Sequence, residues 1–429
     1  MPNENKEHWT NRNRISSARH YRFPSLVISK AEDAYLIDTE GTRYLDFTSG
    51  GQTANLGHGT DSIISAVKAQ MDETGLASLG WTLNDTRIRT AEKLREIAPG
   101  NLSDGKVGFS NTGSDATELS MRLAKDYTSR SLILCTFGCF HGQTSLGALS
   151  LNTSPHGRKY GFPLLPGILY VPYPYCYRCP FGQTYPDCDF ECVDFVEYQF
   201  ETKVIPPERV AAFFLELVQV HGGVIPLPDG YLERIRQLCK EEGILLVVDE
   251  VTTGFGRTGK MFATEHWDVD VDMLYMAKPI AAGLSMAAII AESSVMTNFR
   301  GGGTFSGNPV ACAASLANIS AIQEEDVLAH AQQMGMYLVE QLQQIRVRHP
   351  IIGDIRGLGP LVGVELVEDR RLKTPASEET KKVIRKSAER GLLFFPAGVY
   401  QNVLRLCPPL TIQTKEIDAA VEILDEALP

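Results

Sequence analysis

Residues 244–259 read ILLVVDEVTTGFGRTG, an apolar run that ends in two carboxylates and continues into a glycine-rich loop. The run shows no alternation of apolar and polar residues, which is typical of a strand covered on both faces of a sheet. Similar runs, separated by amphipathic helical patterns, occur between residues 61 and 299 as KVGFSN, SLILCTF, AAFFLEL and MLYMAKPI. This alternation predicts an α/β domain with a mainly parallel sheet covered by helices.

The segments on either side of this region follow a different pattern. The first sixty residues hold short β-type runs broken by turn residues, as in AYLIDTEGTRYLDF, and residues 350–429 alternate strand and helix patterns. Both patterns are typical of a small α+β domain built from the two ends of the chain. We predict a small-domain segment over 1–60, a large domain over 61–309, and a C-terminal small-domain segment over 310–429.

Composition and charge narrow the class of partner. The 429 residues contain 41 Lys and Arg against 52 Asp and Glu, a formal net charge of −11. This balance argues against nucleic acid or an anionic membrane and favours a small-molecule ligand. Residues 1–14 are polar, no apolar run approaches the length of a membrane span, and several cysteines lie in apolar segments, so we expect a cytoplasmic protein.

A phosphate site is indicated by SNTGSDATE, residues 110–118, which follows an apolar strand and begins a helix. The backbone N–H groups of Gly113 and Ser114 would lie at the positive end of the helix dipole, where a phosphate binds well. A simple helix cap explains the same residues without any ligand.

Two further features lie at predicted strand ends. Asp249 and Glu250 follow the strand at 244–248, at the sheet edge where ligands of parallel sheets bind. Lys278 ends the run MLYMA, and a desolvated lysine there would have a lowered pKa and could act as a nucleophile. The alternatives are a solubilising acid pair and a lysine whose ammonium extends to water.

The order of these segments, together with VVDEVTTGFGRTGKMFATEH, MAKPIAAGL and TFSGNPVACAA, carries a family resemblance. The chain resembles the class III, or subgroup II, aminotransferases of fold type I, which bind pyridoxal 5′-phosphate (PLP). The similarity runs from YLIDTEGTRYLDFTSG to NVLRLCPPLTI, almost the whole chain. It implies an enzyme that moves an amino group between an amino acid or amine and a keto acid or aldehyde.

The resemblance also implies roles for the residues introduced above. Lys278 would form the internal aldimine with the cofactor and later move the proton at the substrate carbon. Asp249 would pair with the pyridine nitrogen and keep the ring an effective electron sink. Gly113 and Ser114 would hold the phosphate.

Further cofactor contacts follow from the same resemblance. Phe140, in GCFHG, would stack on one ring face and Val251 would cover the other, with His141 beside them. Thr252 stands where many relatives have glutamine, near the ring hydroxyl. Thr304 corresponds to a residue that reaches the phosphate of the neighbouring subunit, which implies a homodimer with shared active sites, or a tetramer built from such dimers.

Three positions bear on the substrate. Glu216 and Arg405 match a movable salt bridge of related transaminases, in which Arg405 is released to take a substrate carboxylate, although a plain ion pair between domains is the alternative. Gln143 replaces an arginine found in many enzymes that use 2-oxoglutarate, which favours a monocarboxylate acceptor. Gln52 lies one position from a glutamine used by dialkylglycine decarboxylases.

Other functions on the same scaffold stay open. The 4-aminobutyrate aminotransferase, dialkylglycine decarboxylase and amino-acid racemase branches share the cofactor residues, so a racemase, an epimerase or a decarboxylating transaminase is the alternative to simple transamination. A cofactor-binding protein without catalysis is less consistent with the presence of both Lys278 and Asp249.

A segment rich in Pro, Tyr and Cys lies within the predicted large domain. Its cysteines, Cys176, Cys179, Cys188 and Cys192, have a spacing that could supply four thiolates to zinc. The chemistry has no need for such a metal, and the prolines and aromatic residues of the segment could fold it by packing. We therefore expect a surface excursion from the sheet domain with no metal.

Overall fold

The structure is a computed structural model that describes residues 6–16, 23, 26–154, 164–324 and 326–429. The predicted N-terminal segment is therefore described in part, because residues 1–5, 17–22, 24 and 25 lie outside these ranges. Among the helices of the described ranges, none combines the length and the apolar character that crossing a bilayer requires.

The strands are β1 (Ile28–Glu32), β2 (Tyr35–Asp38), β3 (Arg43–Asp46), β4 (Lys106–Ser110), β5 (Leu132–Thr136), β6 (Ile168–Val171), β7 (Val210–Glu216), β8 (Val218–Gln219), β9 (Ile225–Pro226), β10 (Leu245–Asp249), β11 (Met273–Met276), β12 (Ala287–Ala291), β13 (Ile352–Leu358), β14 (Leu361–Leu366), β15 (Leu392–Leu393), β16 (Phe395–Ala397) and β17 (Val403–Leu406).

The α-helices are α1 (Lys6–Ser16), α2 (Ser49–Gln52), α3 (Asp61–Thr74), α4 (Asp85–Glu96), α5 (Gly113–Thr128), α6 (Leu146–Leu151), α7 (Glu191–Glu201), α8 (Val220–Gly223), α9 (Tyr231–Glu242), α10 (Pro309–Glu324), α11 (Val327–Arg346), α12 (Ser377–Glu389) and α13 (Thr414–Ala427).

The centre of the molecule is a seven-stranded sheet in the order β4-β12-β11-β10-β7-β5-β6. Only β12 runs antiparallel to its neighbours, so the prediction of a mainly parallel sheet is confirmed. Along β10, Leu246 and Val248 enter one hydrophobic core and Leu245 and Val247 enter the other. Burial on both faces explains why this strand is apolar at successive positions.

Strand register brings three titratable side chains into one row. Asp249, the last residue of β10, is the register partner of Glu216 in β7 and of Tyr275 in β11. Register partners in a sheet project to the same face, so the three side chains stand side by side. The row lies at the carboxyl ends of the parallel strands, which is the edge where the sequence places the site.

A second body of structure comes from both ends of the chain. The sheets β1-β2-β3-β15 and β13-β14-β17-β16 enclose a core in which Leu45 and Phe47 meet residues between 334 and 428. The helix α10 packs instead with the large core, mainly through α3 and α4. The domain boundary at 309/310 stays a prediction. By its packing, α10 lies with the central sheet and its covering helices.

A chain of close backbone contacts joins the second body to the loop beyond β10. A Cβ atom on Gly335 of α11 would stand 2.2 Å from the carbonyl carbon of Gly359. A Cβ atom on Gly359 would stand 2.6 Å from the carbonyl carbon of Thr258. Helix α11, the β13–β14 turn and the loop beyond β10 therefore contact one another through main-chain atoms.

We expect the substitution Gly335→Ala to lower the free energy of unfolding by about 2 kcal/mol or more, since main-chain atoms cannot move aside for the new methyl group. The better helix propensity of alanine offsets only part of this loss. Urea titration followed by circular dichroism measures the change. The matched control is Met336→Ala on the next residue, which is 63% exposed and is expected to change stability by less than about 0.5 kcal/mol. Equal effects of the two substitutions would contradict the close packing.

Candidate active site

A cavity of about 380 Å³ opens beyond the row of strand ends. Its wall includes most of the residues that the sequence predicts for cofactor and substrate: Gly113, Ser114, Phe140, His141, Gln143, Glu216, Asp249, Val251, Thr252 and Lys278. The structure thus brings together residues that are separated by as many as 165 positions, from 113 to 278, at one edge of the sheet.

Asp249 is held in place by three donors. Its Oδ1 accepts the backbone N–H of Val251 at 2.9 Å. Its Oδ2 lies 2.8 Å from His141 Nδ1 and accepts the hydroxyl of Tyr275 at 2.8 Å. Burial opposes a charge on His141, but its contacts with Asp249 and Cys139 raise its pKa well above the ordinary value. The carboxylate is therefore buried, oriented and compensated by a nearby cation.

The two carboxylates at the end of β10 have different surroundings. Glu250 accepts the N–H and the hydroxyl of Thr264, each at 2.8 Å, and also the hydroxyl of Thr253. Burial raises the pKa of Glu250 to about 7, and these donors limit the rise. Successive residues of a strand point to opposite faces, so only Asp249 reaches the cavity and Glu250 anchors the loop behind it.

Lys278 begins a short 3₁₀ turn directly after β11 and lies against the cavity. Its backbone has a φ of 38°, in the left-handed region. Its Nζ donates a hydrogen bond to Thr252 Oγ1. Burial, and then the positive charge of Arg405, lower the pKa of Lys278 to about 8. The amine is therefore available in its neutral, nucleophilic form close to neutral pH.

The opposite end of the cavity is the first turn of α5. Thr112 caps this helix by accepting the N–H of Asp115 at 3.2 Å, which leaves the N–H groups of Gly113 and Ser114 without an acceptor inside the helix. Ser114 Oγ in turn accepts the N–H of Gln143 at 3.1 Å. The predicted cap is present, supplied by Thr112, and the phosphate site at Gly113 and Ser114 stays a prediction.

Glu216 lies between Asp249 and the aromatic residue Phe140. Its Oε1 accepts the backbone N–H of Phe140 at 2.8 Å, and its Oε2 accepts that of Val220 at 3.3 Å. Burial raises the pKa of Glu216 to about 8, and the charge on His141 limits the rise. The ring of Phe140 stacks on His221 with centroids 4.1 Å apart.

Arg405 lies on β17, is 4% exposed, and has its guanidinium carbon 5.5 Å from the centre of the Phe395 ring. Within the described ranges, Glu216 and Arg405 form no ion pair, and Glu216 is bonded to main-chain N–H groups instead. The movable salt bridge between the two residues stays a prediction.

Three predicted residues do not line the cavity: Arg405, described above, Gln52 and Thr304. Gln52 is buried at the end of α2, and its neighbour Thr53 lines the cavity. Thr304 is exposed on the segment before α10, where its carbonyl oxygen would lie 2.9 Å from a Cβ atom on Gly80. Gln52 thus lies next to the cavity wall, whereas the fold of the single chain does not bring Thr304 to it.

The segment with four cysteines folds as a separate feature. Cys176, Cys179, Cys188 and Cys192 are free thiols that line one small apolar cavity. Burial, and then the neighbouring thiols, raise the pKa of Cys176 to about 11. In the part of the chain that the structure describes, no three His, Cys, Asp or Glu side chains form a group that could hold a metal ion. Nearby, Arg178 ties the segment to the second body by pairing with Glu365.

Comparison with known proteins agrees with this geometry. The family model for class-III aminotransferases matches residues 16–428. The chain belongs to the class-III aminotransferase family. Its relatives include a leucine/methionine racemase of Thermococcus litoralis, 37% identical over 96% of this chain and 92% of that protein. They also include the 4-aminobutyrate aminotransferase of Escherichia coli, 32% identical over 99% of this chain and 98% of that protein.

A solved structure extends the comparison to the fold and the cofactor. An amine transaminase from an uncultivated Pseudomonas species, in its PLP-bound form, superimposes with a TM-score of 0.88 at 32% identity, covering 96% of each chain. The class-III aminotransferase described here is thus a PLP-dependent enzyme of the α/β fold predicted from sequence. Amino-group transfer is the activity best supported by its family and its transaminase relatives.

The residues of this cavity fit PLP. Asp249 offers an acceptor to a ring nitrogen, Lys278 offers an amine to an aldehyde, and the first turn of α5 offers N–H groups to a phosphate. A Cβ atom on Gly142 would stand 2.3 Å from Ser114 Oγ, so the loop approaches the helix where no side chain can intervene.

Some residues of the site carry no signal in the sequence. Thr53, Val218, Val220 and Met286 line the cavity, but they come from loops and strand ends whose side chains a single sequence does not place. Tyr275 is part of an ordinary apolar strand pattern. Only the register of β11 against β10 reveals that it reaches Asp249.

We expect Lys278 of the cofactor-free protein to react with acetic anhydride in a pH-dependent manner, half-maximal near pH 8, because burial and Arg405 favour the neutral amine. Removing the positive charge with Arg405→Gln should move this midpoint to higher pH. Peptide mass spectrometry measures the labelling, with the exposed Lys106 as the reference. A midpoint near the ordinary lysine value of 10.5, unchanged in Arg405→Gln, would contradict the expected lowering.

Proposed function

We propose that the protein moves an amino group from an α-amino acid or amine to a monocarboxylate keto acid or an aldehyde, as a cytoplasmic homodimer. One observation carries the proposal: Lys278, with its pKa lowered to about 8, faces the same cavity as the buried and oriented Asp249. PLP, when bound, supplies the aldehyde that takes up the amino group and the ring that stabilises negative charge at the substrate carbon.

Lys278 is the proposed proton carrier. With PLP and substrate bound, its Nζ would take the proton from the substrate α-carbon and then release it, which requires a neutral amine near physiological pH. Thr252 Oγ1 accepts a hydrogen bond from Nζ and so orients the amine while it is not engaged with substrate.

Asp249 is the proposed partner of the ring nitrogen, and the first turn of α5 is the proposed phosphate site. A buried carboxylate with a charged His141 at 2.8 Å can hold a ring N–H without itself being neutralised. Gly113 and Ser114 supply N–H groups to the phosphate at the positive end of the α5 dipole. Phe140 and Val251 are proposed to cover the two ring faces.

Arg405 is proposed to bind the substrate carboxylate. It is buried and does not line the cavity, but it lies close enough to Lys278 for its charge to lower the pKa of that lysine. Glu216 is bonded to the N–H groups of Phe140 and Val220, so it does not compete for the guanidinium in this arrangement. Gln143, in place of an arginine, favours a monocarboxylate acceptor such as pyruvate.

A homodimer is supported by exposed apolar residues beside Thr304. Trp81 is 85% exposed and Leu83 is 87% exposed, and Phe305 is 67% exposed next to Thr304. The backbone of Gly80 lies against Thr304, so these side chains belong to one surface region. Large apolar side chains gathered on a surface are typical of a protein interface, and a second copy would bring Thr304 to the partner's site.

Racemisation is the second candidate, favoured by the similarity to the leucine/methionine racemase of Thermococcus litoralis. Both activities begin with removal of the α-proton by the same lysine. They differ in where the proton returns: to the cofactor side in transamination, and to the opposite face of the α-carbon in racemisation.

We expect the PLP-loaded protein, given a single L-amino acid and no keto acid, to release up to one equivalent of the matching keto acid per active site, because the amino group stays on the cofactor. Liquid chromatography on a chiral column measures the keto acid and both enantiomers. Lys278→Ala is expected to abolish the reaction. Appearance of the D-enantiomer without keto acid would support racemisation instead, and release of carbon dioxide would support a decarboxylating transaminase.

We expect Arg405→Gln to lower kcat/KM for α-amino acids by about 100-fold or more, because a buried guanidinium bound to a carboxylate is lost. Arg405→Lys keeps the charge but not the planar pair of donors, and should lower it by about tenfold. The control substrate is 1-phenylethylamine, which has no carboxylate. Equal losses for the amine and the amino acids would contradict carboxylate binding by Arg405.

A further inference from the structure

Tyr275 has no role in the function described so far, yet it lies beside the central carboxylate. It is the register partner of Asp249 across β10 and β11, and both of these strands are fully buried. The ring is 0% exposed and does not line the cavity, so Tyr275 stands behind Asp249 as seen from the substrate side. Any effect it has on the reaction must pass through its neighbours.

The hydroxyl of Tyr275, Oδ2 of Asp249 and Nδ1 of His141 form a triangle with sides of 2.8 Å. A carboxylate only accepts, so the 2.8 Å contact with Asp249 Oδ2 requires the proton of His141 on Nδ1, and the tyrosine hydroxyl cannot donate to that atom. Its single proton must then be directed at Asp249 Oδ2. Burial and the charge of Asp249 raise the pKa of Tyr275 well above its ordinary value, so the hydroxyl keeps this proton.

A count of lone pairs shows what this bond does to Asp249. A carboxylate has about four acceptor directions. Oδ2 uses two of them for Tyr275 and His141, and Oδ1 uses one for the N–H of Val251. One direction on Oδ1 is left for a further donor. A carboxylate with several donors also binds a shared proton less strongly than one with few.

We propose that Tyr275 is a positioning residue for the cofactor ring: its hydroxyl fixes Asp249 with one acceptor direction free and keeps the shared proton on the ring nitrogen. This inference rests on the proposed pairing of Asp249 with that nitrogen. It adds a residue outside the cavity wall to the groups that control the ring. It also explains why a phenol, and not an apolar ring, stands at this fully buried strand position.

The test is the holoenzyme of Tyr275→Phe loaded with PLP labelled with ¹⁵N in the ring. We expect its ¹⁵N resonance to move from the wild-type position toward that of an unprotonated pyridine. We expect kcat to fall about 3- to 30-fold while KM for the amino substrate stays within about twofold, since Tyr275 touches no substrate. A resonance and a kcat that match the wild type would overturn the proposal.

Tyr173→Phe is the matched control. It removes another buried phenol, whose hydroxyl bonds only to main-chain carbonyls such as that of Ile225 at 2.8 Å. Its ¹⁵N resonance should match the wild type even if its thermal midpoint falls. A shift of the ¹⁵N resonance of equal size in Tyr173→Phe would show that loss of any buried hydroxyl acts through a general loss of packing. That result would overturn the specific role of Tyr275.

A second measurement does not depend on the folding of Tyr275→Phe. Incorporation of 3-fluorotyrosine at position 275 alone keeps the ring in place and makes the hydroxyl a stronger donor. The ¹⁵N resonance should then move in the opposite direction, toward that of a fully protonated ring nitrogen. No movement would overturn the proposal. An unprotonated ring nitrogen in the wild-type holoenzyme would instead refute the role of Asp249 itself, so the two failures are distinguishable.

Discussion

The site depends on keeping one carboxylate charged inside a sheet. A buried carboxylate that lacked hydrogen-bond donors would lose several kcal/mol of solvation. Three donors prevent this: the N–H of Val251, the ring of His141 and the hydroxyl of Tyr275. Each comes from a different part of the chain, so the charge is stable only in the assembled fold.

The surroundings of this carboxylate also shift the pKa values of the other ionisable groups of the site. Burial pushes Lys278 toward its neutral form and Glu216 toward its protonated form, while His141 stays charged beside Asp249. The net effect is a site with one stable ion pair and two groups that change protonation near physiological pH. Such a separation of roles among neighbouring groups is what proton transfer requires.

Much of this arrangement follows from the sequence, and the reasons are physical. The unbroken apolar run before Asp249 predicts a strand buried on both faces, and the carboxyl edge of parallel strands then brings Asp249, Lys278 and the start of α5 together. The pairing of Asp249 with Tyr275 is not predictable in this way, because register between distant strands is set by packing. The hydrogen bonds of Glu216 depend on main-chain donors in loops, which no pattern in the residues specifies.

The opposite orientations of Asp249 and Glu250 have a consequence for the register of β10. A slip of β10 by one residue would turn Glu250 toward the cavity and Asp249 toward Thr264, and the donors on each side would then meet the wrong carboxylate. If Asp249 holds the ring nitrogen as proposed, a slipped β10 would present the wrong carboxylate to the cofactor. Retention of PLP would then report that the central strand lies in its correct register.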